Sequence, residues 1–90
     1  MLFVNIGKSL PGDARPKIAR RVNWDYPEGL RVIAEYWLQL PDVTVISIFE
    51  ADSIAPILAA NTEWSDAFSW TTVPAITAED GIALFKSLPQ

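Results

Sequence analysis

The sequence predicts an α+β domain built on one antiparallel sheet, and three observations predict it. Segments of two-residue apolar alternation are interleaved with segments of helical spacing, in the order strand, helix, strand, strand, helix, strand, helix. Clusters of Pro, Gly, Asn and Asp separate them, as turns require. The middle pair of strands carries apolar residues on both faces, although the two helices lying between strands can cover only one.

Leu2 to Ile6 alternates, with Leu2, Val4 and Ile6 on one side and Phe3 and Asn5 on the other, and the strand ends at Gly7. Pro11-Gly12 signals a turn and Asp13 a cap for a helix whose Ala14, Ile18, Ala19 and Val22 share a face. Pro16 falls in its first turn, where a missing N–H costs little. Tyr26-Pro27-Glu28-Gly29 is a breaker-rich loop leading to a long strand, Leu30 to Leu40.

Pro41-Asp42 turns that strand back into Val43 to Glu50, and a two-residue loop sets Leu40 opposite Val43, Leu38 opposite Val45 and Glu35 opposite Ile48. One face then carries Leu30, Val32, Ala34, Tyr36, Leu38, Val43, Val45, Ser47 and Phe49, the face meant for helices. The other carries Arg31, Ile33, Glu35, Trp37, Gln39, Thr44, Ile46, Ile48 and Glu50. Its centre is too apolar for a solvated sheet face, so Ile33, Trp37, Ile46 and Ile48 are predicted to form a homodimer interface.

Asp52 or Ser53 is expected to cap a second helix with Pro56 in its first turns, followed by Ile54, Ile57, Leu58 and Asn61 and fading near Glu63. Ala67 to Ala75 reads as a fourth strand, with Phe68 and Trp70 on one side and Val73 on the other; Pro74 suits an edge position. Thr77 caps a last helix, Glu79 and Asp80 sit at its positive end, Ile82, Leu84, Phe85 and Leu88 form its apolar side, and Pro89 stops it. This order is the split βαβ, ferredoxin-like pattern, here as a single domain over residues 1–90.

Composition narrows the function. Half the residues are apolar and 20% charged, a lean surface for so short a chain, and a single core of this size is marginal without help. Cysteine and histidine are absent, so disulfides, zinc–thiolate sites and Cys or His catalysis are excluded and association is the remaining aid. A net charge of −4 disfavours nucleic acid. Arg15, Lys17, Arg20 and Arg21 concentrate four of the seven basic residues, read as a solvated helix face rather than an anion-binding stripe. No apolar run approaches a membrane span, and the N-terminus lacks a signal peptide's basic region; a cytoplasmic protein is expected.

Several short motifs recur together: Met1-Leu2-Phe3-Val4, Pro27-Glu28-Gly29-Leu30 leading to Tyr36-Trp37, Phe49-Glu50-Ala51-Asp52, and Trp64-Ser65-Asp66 followed by Phe68 and Val73-Pro74. This ordered set resembles a family of short prokaryotic domains of unknown function with the dimeric α+β barrel fold. The resemblance covers most of the chain and implies a ferredoxin-like subunit whose open sheet face meets that of a second copy. It implies no activity. The chain departs from the family in its short first helix and in the Pro41-Asp42 connection, where a glycine-rich turn is common.

Wider relatives of that fold include cofactor-free monooxygenases and haem-degrading enzymes, which use an Asn on the first strand and a Trp after the second helix. Asn5 and Trp64 match those places loosely, but the histidine of the haem-degraders has no counterpart. Glu35 and Glu50 fall diagonally on one face in the register above and would raise each other's pKa as an acid–base pair. Arg31 beside Glu50 offers a plain ion pair instead, and charged residues on a long strand also guard its edge. Gly7-Lys8-Ser9 lacks the spaced glycine of a phosphate loop, and no serine has a base.

The resulting expectation is a small dimeric protein that holds a small apolar or aromatic ligand, with Trp37, Trp64, Trp70 and Arg31 as binding residues and neither metal nor cofactor. The alternative is a cofactor-independent monooxygenase- or isomerase-like enzyme using Glu35, Glu50 and Asn5 in a buried pocket. A second alternative is an interaction module presenting its basic first helix to an acidic partner.

Overall fold

In the computed structural model, which describes residues 1–38 and 44–89, strands and helices alternate in the expected order. They are β1 (Leu2–Ser9), α1 (Ala14–Val22), β2 (Arg31–Leu38), β3 (Thr44–Glu50), α2 (Ala55–Glu63), β4 (Phe68–Ala75) and α3 (Ala78–Ser87). The strands form an open antiparallel sheet in the order β2-β3-β1-β4. This α+β arrangement is consistent with the ferredoxin-like pattern, and Pro74 does lie on an edge strand.

Local chemistry accounts for most boundaries. The Asp13 carboxylate accepts from the Arg15 N–H at 3.0 Å and starts α1, and the Thr77 hydroxyl accepts from the Asp80 N–H at 3.0 Å and starts α3. The expected cap of α2 needs correction. Its first flanking residue is Ile54, which makes no side-chain cap bond, while the Ser53 hydroxyl accepts from Ala55 N–H at 3.3 Å. Pro56 in the first turn already removes one of the N–H groups a cap would satisfy.

The hairpin register also differs from the expectation, by one residue. Leu38 stands opposite Thr44, Trp37 opposite Val45, Tyr36 opposite Ile46 and Glu35 opposite Ser47. The Pro41-Asp42 turn and the Leu40–Val43 pairing lie outside the described residues. A bulge follows: Val32 pairs with Phe49 and Ala34 with Ile48, leaving Ile33 between them without a partner across the ladder. A one-residue slip exchanges the faces of a strand. Glu35 and Trp37 therefore join the helix-covered face with Val45, Ser47 and Phe49, while Ala34, Tyr36 and Leu38 move to the open face with Ile46 and Ile48. Of the four predicted interface residues, Ile46 and Ile48 are on the open face; Trp37 is not, and Ile33 sits at the bulge.

The core lies between the sheet and the helices in two clusters. Phe3, Phe49, Ala51 and Ile57 form one, flanked by Tyr26 and Leu30; Trp64, Ala67 and Phe68 form the other, flanked by Trp24, Val45 and Trp70. α2 contributes Ile57 and Ala60 to this interior, whereas α1 and α3 contain no buried residue. The apolar side of α3, with Ile82, Leu84, Phe85 and Leu88, is exposed. The radius of gyration is 15.3 Å and the longest extent 53 Å; a compact domain of this length has a radius of about 12 Å. The chain is elongated and carries more apolar surface than its own helices cover.

Candidate ligand cavity

The space between the two core clusters is a cavity of about 270 Å³ bounded by the sheet, α1, α2 and the loop after α1. Its floor follows from the register. Glu35 of β2 stands opposite Ser47 of β3, Ser47 opposite Asn5 of β1, and Asn5 opposite Thr72 of β4. One polar residue from each strand thus lies on a single rung crossing the sheet. Asn5 and Ser47 are each only 2% exposed. Burying such groups costs free energy unless they are hydrogen-bonded, so a full rung of them inside an apolar core calls for partners.

At one end the partners are amide and hydroxyl groups. The Asn5 side-chain amide donates to Asn61 Oδ1 at 2.8 Å, and Asn61 Nδ2 donates to Asn5 Oδ1 at 3.3 Å and to Thr72 Oγ1 at 3.1 Å. The Thr72 hydroxyl donates to Asn5 Oδ1 at 2.6 Å. Asn61 reaches the rung because it follows the fully buried Ile57 by four residues on α2, one helical turn along the same face.

At the other end the rung is ionic. Arg21 Nη2 and Nε donate to the two Glu35 oxygens at 2.9 and 3.2 Å, Trp37 Nε1 donates to Oε2 at 2.7 Å, and the Tyr26 hydroxyl donates to Oε1. Burial works to raise the Glu35 pKa, but the Arg21, Tyr26 and Trp37 hydrogen bonds outweigh it and hold the carboxyl below its usual range. Burial and the bond to Glu35 push the Tyr26 phenol up to about 12, against an opposing hydrogen bond with Ser47. Glu35 is thus an ionised anchor whose oxygens are already occupied.

The walls are aromatic. Edge-on and tilted ring contacts run from Phe49 through Tyr26, Trp24, Trp64 and Phe68 to Trp70, with centroid separations between 4.7 and 5.9 Å. Gly7 makes room for the last ring: a Cβ there would lie 2.4 Å from Trp70 Cζ3. The indole N–H groups of Trp64 and Trp70 are buried and meet no acceptor among the described residues.

α1 roofs the cavity, held by its cations. Arg20 pairs with Asp66 at 3.0 Å, donates to the Glu63 carbonyl and stacks over Trp64 at 4.2 Å. Lys17 Nζ donates to Ser9 Oγ at 2.6 Å and to the Leu10 carbonyl at 2.5 Å, and Arg15 pairs with Asp13. Arg20, Arg21 and Lys17 therefore fasten α1 to the body, while Arg15, exposed and paired within the first turn of its own helix, keeps the solvated character expected of the segment.

The expected site residues are partly brought together. Asn5, Glu35, Trp37, Trp64 and Trp70 all line this cavity. Glu50 does not, because it belongs to the open face, where its carboxylate pairs with the N-terminal ammonium at 2.5 Å; the expected Glu35–Glu50 acid–base pair is divided by the sheet. Arg31 is exposed at the far end of β2, opposite Glu50 and away from the cavity. Trp24, Tyr26, Arg21 and Asn61 are not among the site residues expected from sequence. The usable signals were a polar residue on the buried face of α2 and two aromatics in an otherwise breaker-rich loop.

Fold and cavity together define a small α+β domain with an aromatic-walled, polar-floored chamber on the covered side of its sheet. The chain belongs to the DUF3303 family, a domain of unknown function, whose family model matches residues 1–89. Comparison with curated proteins and with solved structures returns no significant match. Among the described residues no cluster of acidic side chains could hold a metal ion, and no helix is long and apolar enough to cross a membrane.

Proposed function

We propose that this domain binds a small, planar, largely aromatic molecule in the chamber between sheet and helices, working as a ferredoxin-like subunit of a homodimer. The observation that carries the reading is the polar rung whose Glu35, Ser47 and Asn5 line the chamber beneath aromatic walls, with Thr72 continuing it beside the cavity. Purely structural packing would fill that level with aliphatic side chains, whereas binding sites combine apolar walls with a few placed polar groups. A volume of about 270 Å³ suits a molecule of on the order of ten heavy atoms at protein packing density. The test is a screen of single- and double-ring aromatic probes followed by tryptophan fluorescence and thermal unfolding. A true ligand at about 100 times its Kd should add about 2.7 kcal/mol to stability. Asn5→Leu should abolish the effect while the fold persists; an equal effect in that variant would move the site elsewhere.

A specific observation supports a second reading, cofactor-independent catalysis: Asn5 and Trp64 line the same chamber. Glu35 is a poor candidate for its base, since a carboxylate held well below neutrality and already accepting from three side chains has little proton affinity to offer. Turnover of a bound probe that is lost in Asn5→Leu and retained in Glu35→Gln would favour this reading.

The homodimer reading draws on the open face. Val4, Ile6, Ile46 and Ile48 lie side by side on β1 and β3, flanked by Tyr36 and Val73, and among the described residues no helix covers them. A second copy presents the same face and the same need, which makes a two-fold, self-complementary contact the natural occupant.

A further inference from the structure

The donors left over on residues that line the chamber point to the chemical class of its ligand, and this inference rests on the ligand-binding reading above. Trp64 is 4% exposed, and neither its indole N–H nor that of Trp70 has an acceptor among the described residues. Asn5 adds a third donor. Its Oδ1 already accepts twice, and one amide hydrogen goes to Asn61, which leaves the second hydrogen of Nδ2 unassigned in a residue 2% exposed. Asn61 Nδ2, by contrast, spends both hydrogens, and Glu35 has its oxygens occupied by Arg21, Tyr26 and Trp37. The surplus on the chamber's polar groups is therefore in donors. A buried donor without an acceptor is costly, and a ligand oxygen that receives it recovers that cost.

We infer that the chamber selects a planar aromatic carbonyl compound, whose ring lies among the aromatic walls and whose oxygen accepts from Trp64, Trp70 or Asn5. A hydrocarbon of the same shape leaves the surplus donors unmet and binds more weakly. The other two tryptophans are internal controls. Trp24 Nε1 already donates to Glu63 at 2.6 Å and Trp37 Nε1 to Glu35 at 2.7 Å, so neither has a proton to offer.

The experiment compares 1-indanone with indane by titration while the four indole N–H resonances are followed by 1H–15N correlation. Trp64→Phe and Trp70→Phe supply the assignments. Expected is roughly tenfold tighter binding of indanone, with a downfield shift confined to the Trp64 or Trp70 indole proton. The preference should shrink in whichever of Trp64→Phe, Trp70→Phe and Asn5→Leu removes the donor. If Trp64→Phe does not fold, Trp70→Phe and the wild-type spectrum still decide. Equal binding of both probes with no indole shift overturns the donor inference and leaves the chamber as an unselective apolar site. No binding of either probe at millimolar concentration overturns the ligand reading and the inference with it.

Discussion

Glu35 gathers donors from α1, from the following loop and from its own strand, and the ionisation behaviour of the site follows from that convergence. Its pKa is depressed, so the stabilisation it provides is present above about pH 4.5 and is lost as pH falls through the lowered folded value. Wild type should accordingly lose more stability between pH 5 and 3 than Glu35→Gln, as read from urea midpoints; parallel curves would refute the anchor role. Tyr26 has the opposite sign. Its contribution is complete below about pH 10 and disappears as pH rises through the folded value near 12. In a Tyr36→Phe background, absorbance at 295 nm should show the remaining phenol ionising near 12, and Glu35→Gln should lower that value only part of the way, because burial remains. Arg21→Met strands a carboxylate whose side chain is 14% exposed and should cost about 1–3 kcal/mol.

At the level of elements, the Trp70 ring of β4 can lie against β1 because Gly7 lacks a side chain. Gly7→Ala brings a methyl group into the Trp70 ring and should destabilise by about 1–3 kcal/mol. Trp70→Leu in the same chain should relieve most of that penalty in a double-mutant cycle, and additive penalties would count against the contact. The two helices of the covered face differ in kind. α2 buries Ile57 and Ala60, whereas α1 buries nothing and is held by Arg20, Arg21 and Lys17 at the chamber's rim. Backbone amides of α1 should therefore exchange with deuterium well before those of α2.

For the molecule as a whole, the elongated shape and the two uncovered apolar surfaces, the open sheet face and the outer side of α3, leave apolar area for the proposed homodimer to bury. Light scattering over a dilution series should show a dimer, and Ile46→Asp, which places a charge in the middle of the open face, should shift it to monomer. An unchanged mass in that variant would remove this face from the interface. Trp37→Ala makes a discriminating control: it lies on the covered face, so it should disturb the chamber and leave the mass unchanged.

The sequence by itself determined the element order, the α+β class, the edge position of β4 and the caps at Asp13 and Thr77, because these depend on local periodicity and on hydrogen bonds between near neighbours. Asn5, Trp37, Trp64 and Trp70 were also legible as candidates. Only the tertiary structure decided which face each β2 residue takes. Local alternation is the same in either register, and the bulge at Ile33 then re-phases the end of the strand. That single step moved Glu35 and Trp37 from the open face into the chamber, parted Glu35 from Glu50 and completed the polar rung. The partners of that rung, Arg21, Tyr26 and Asn61, come from three separate segments, and the local signals at Tyr26 and Asn61 mark unusual residues without showing what each will meet.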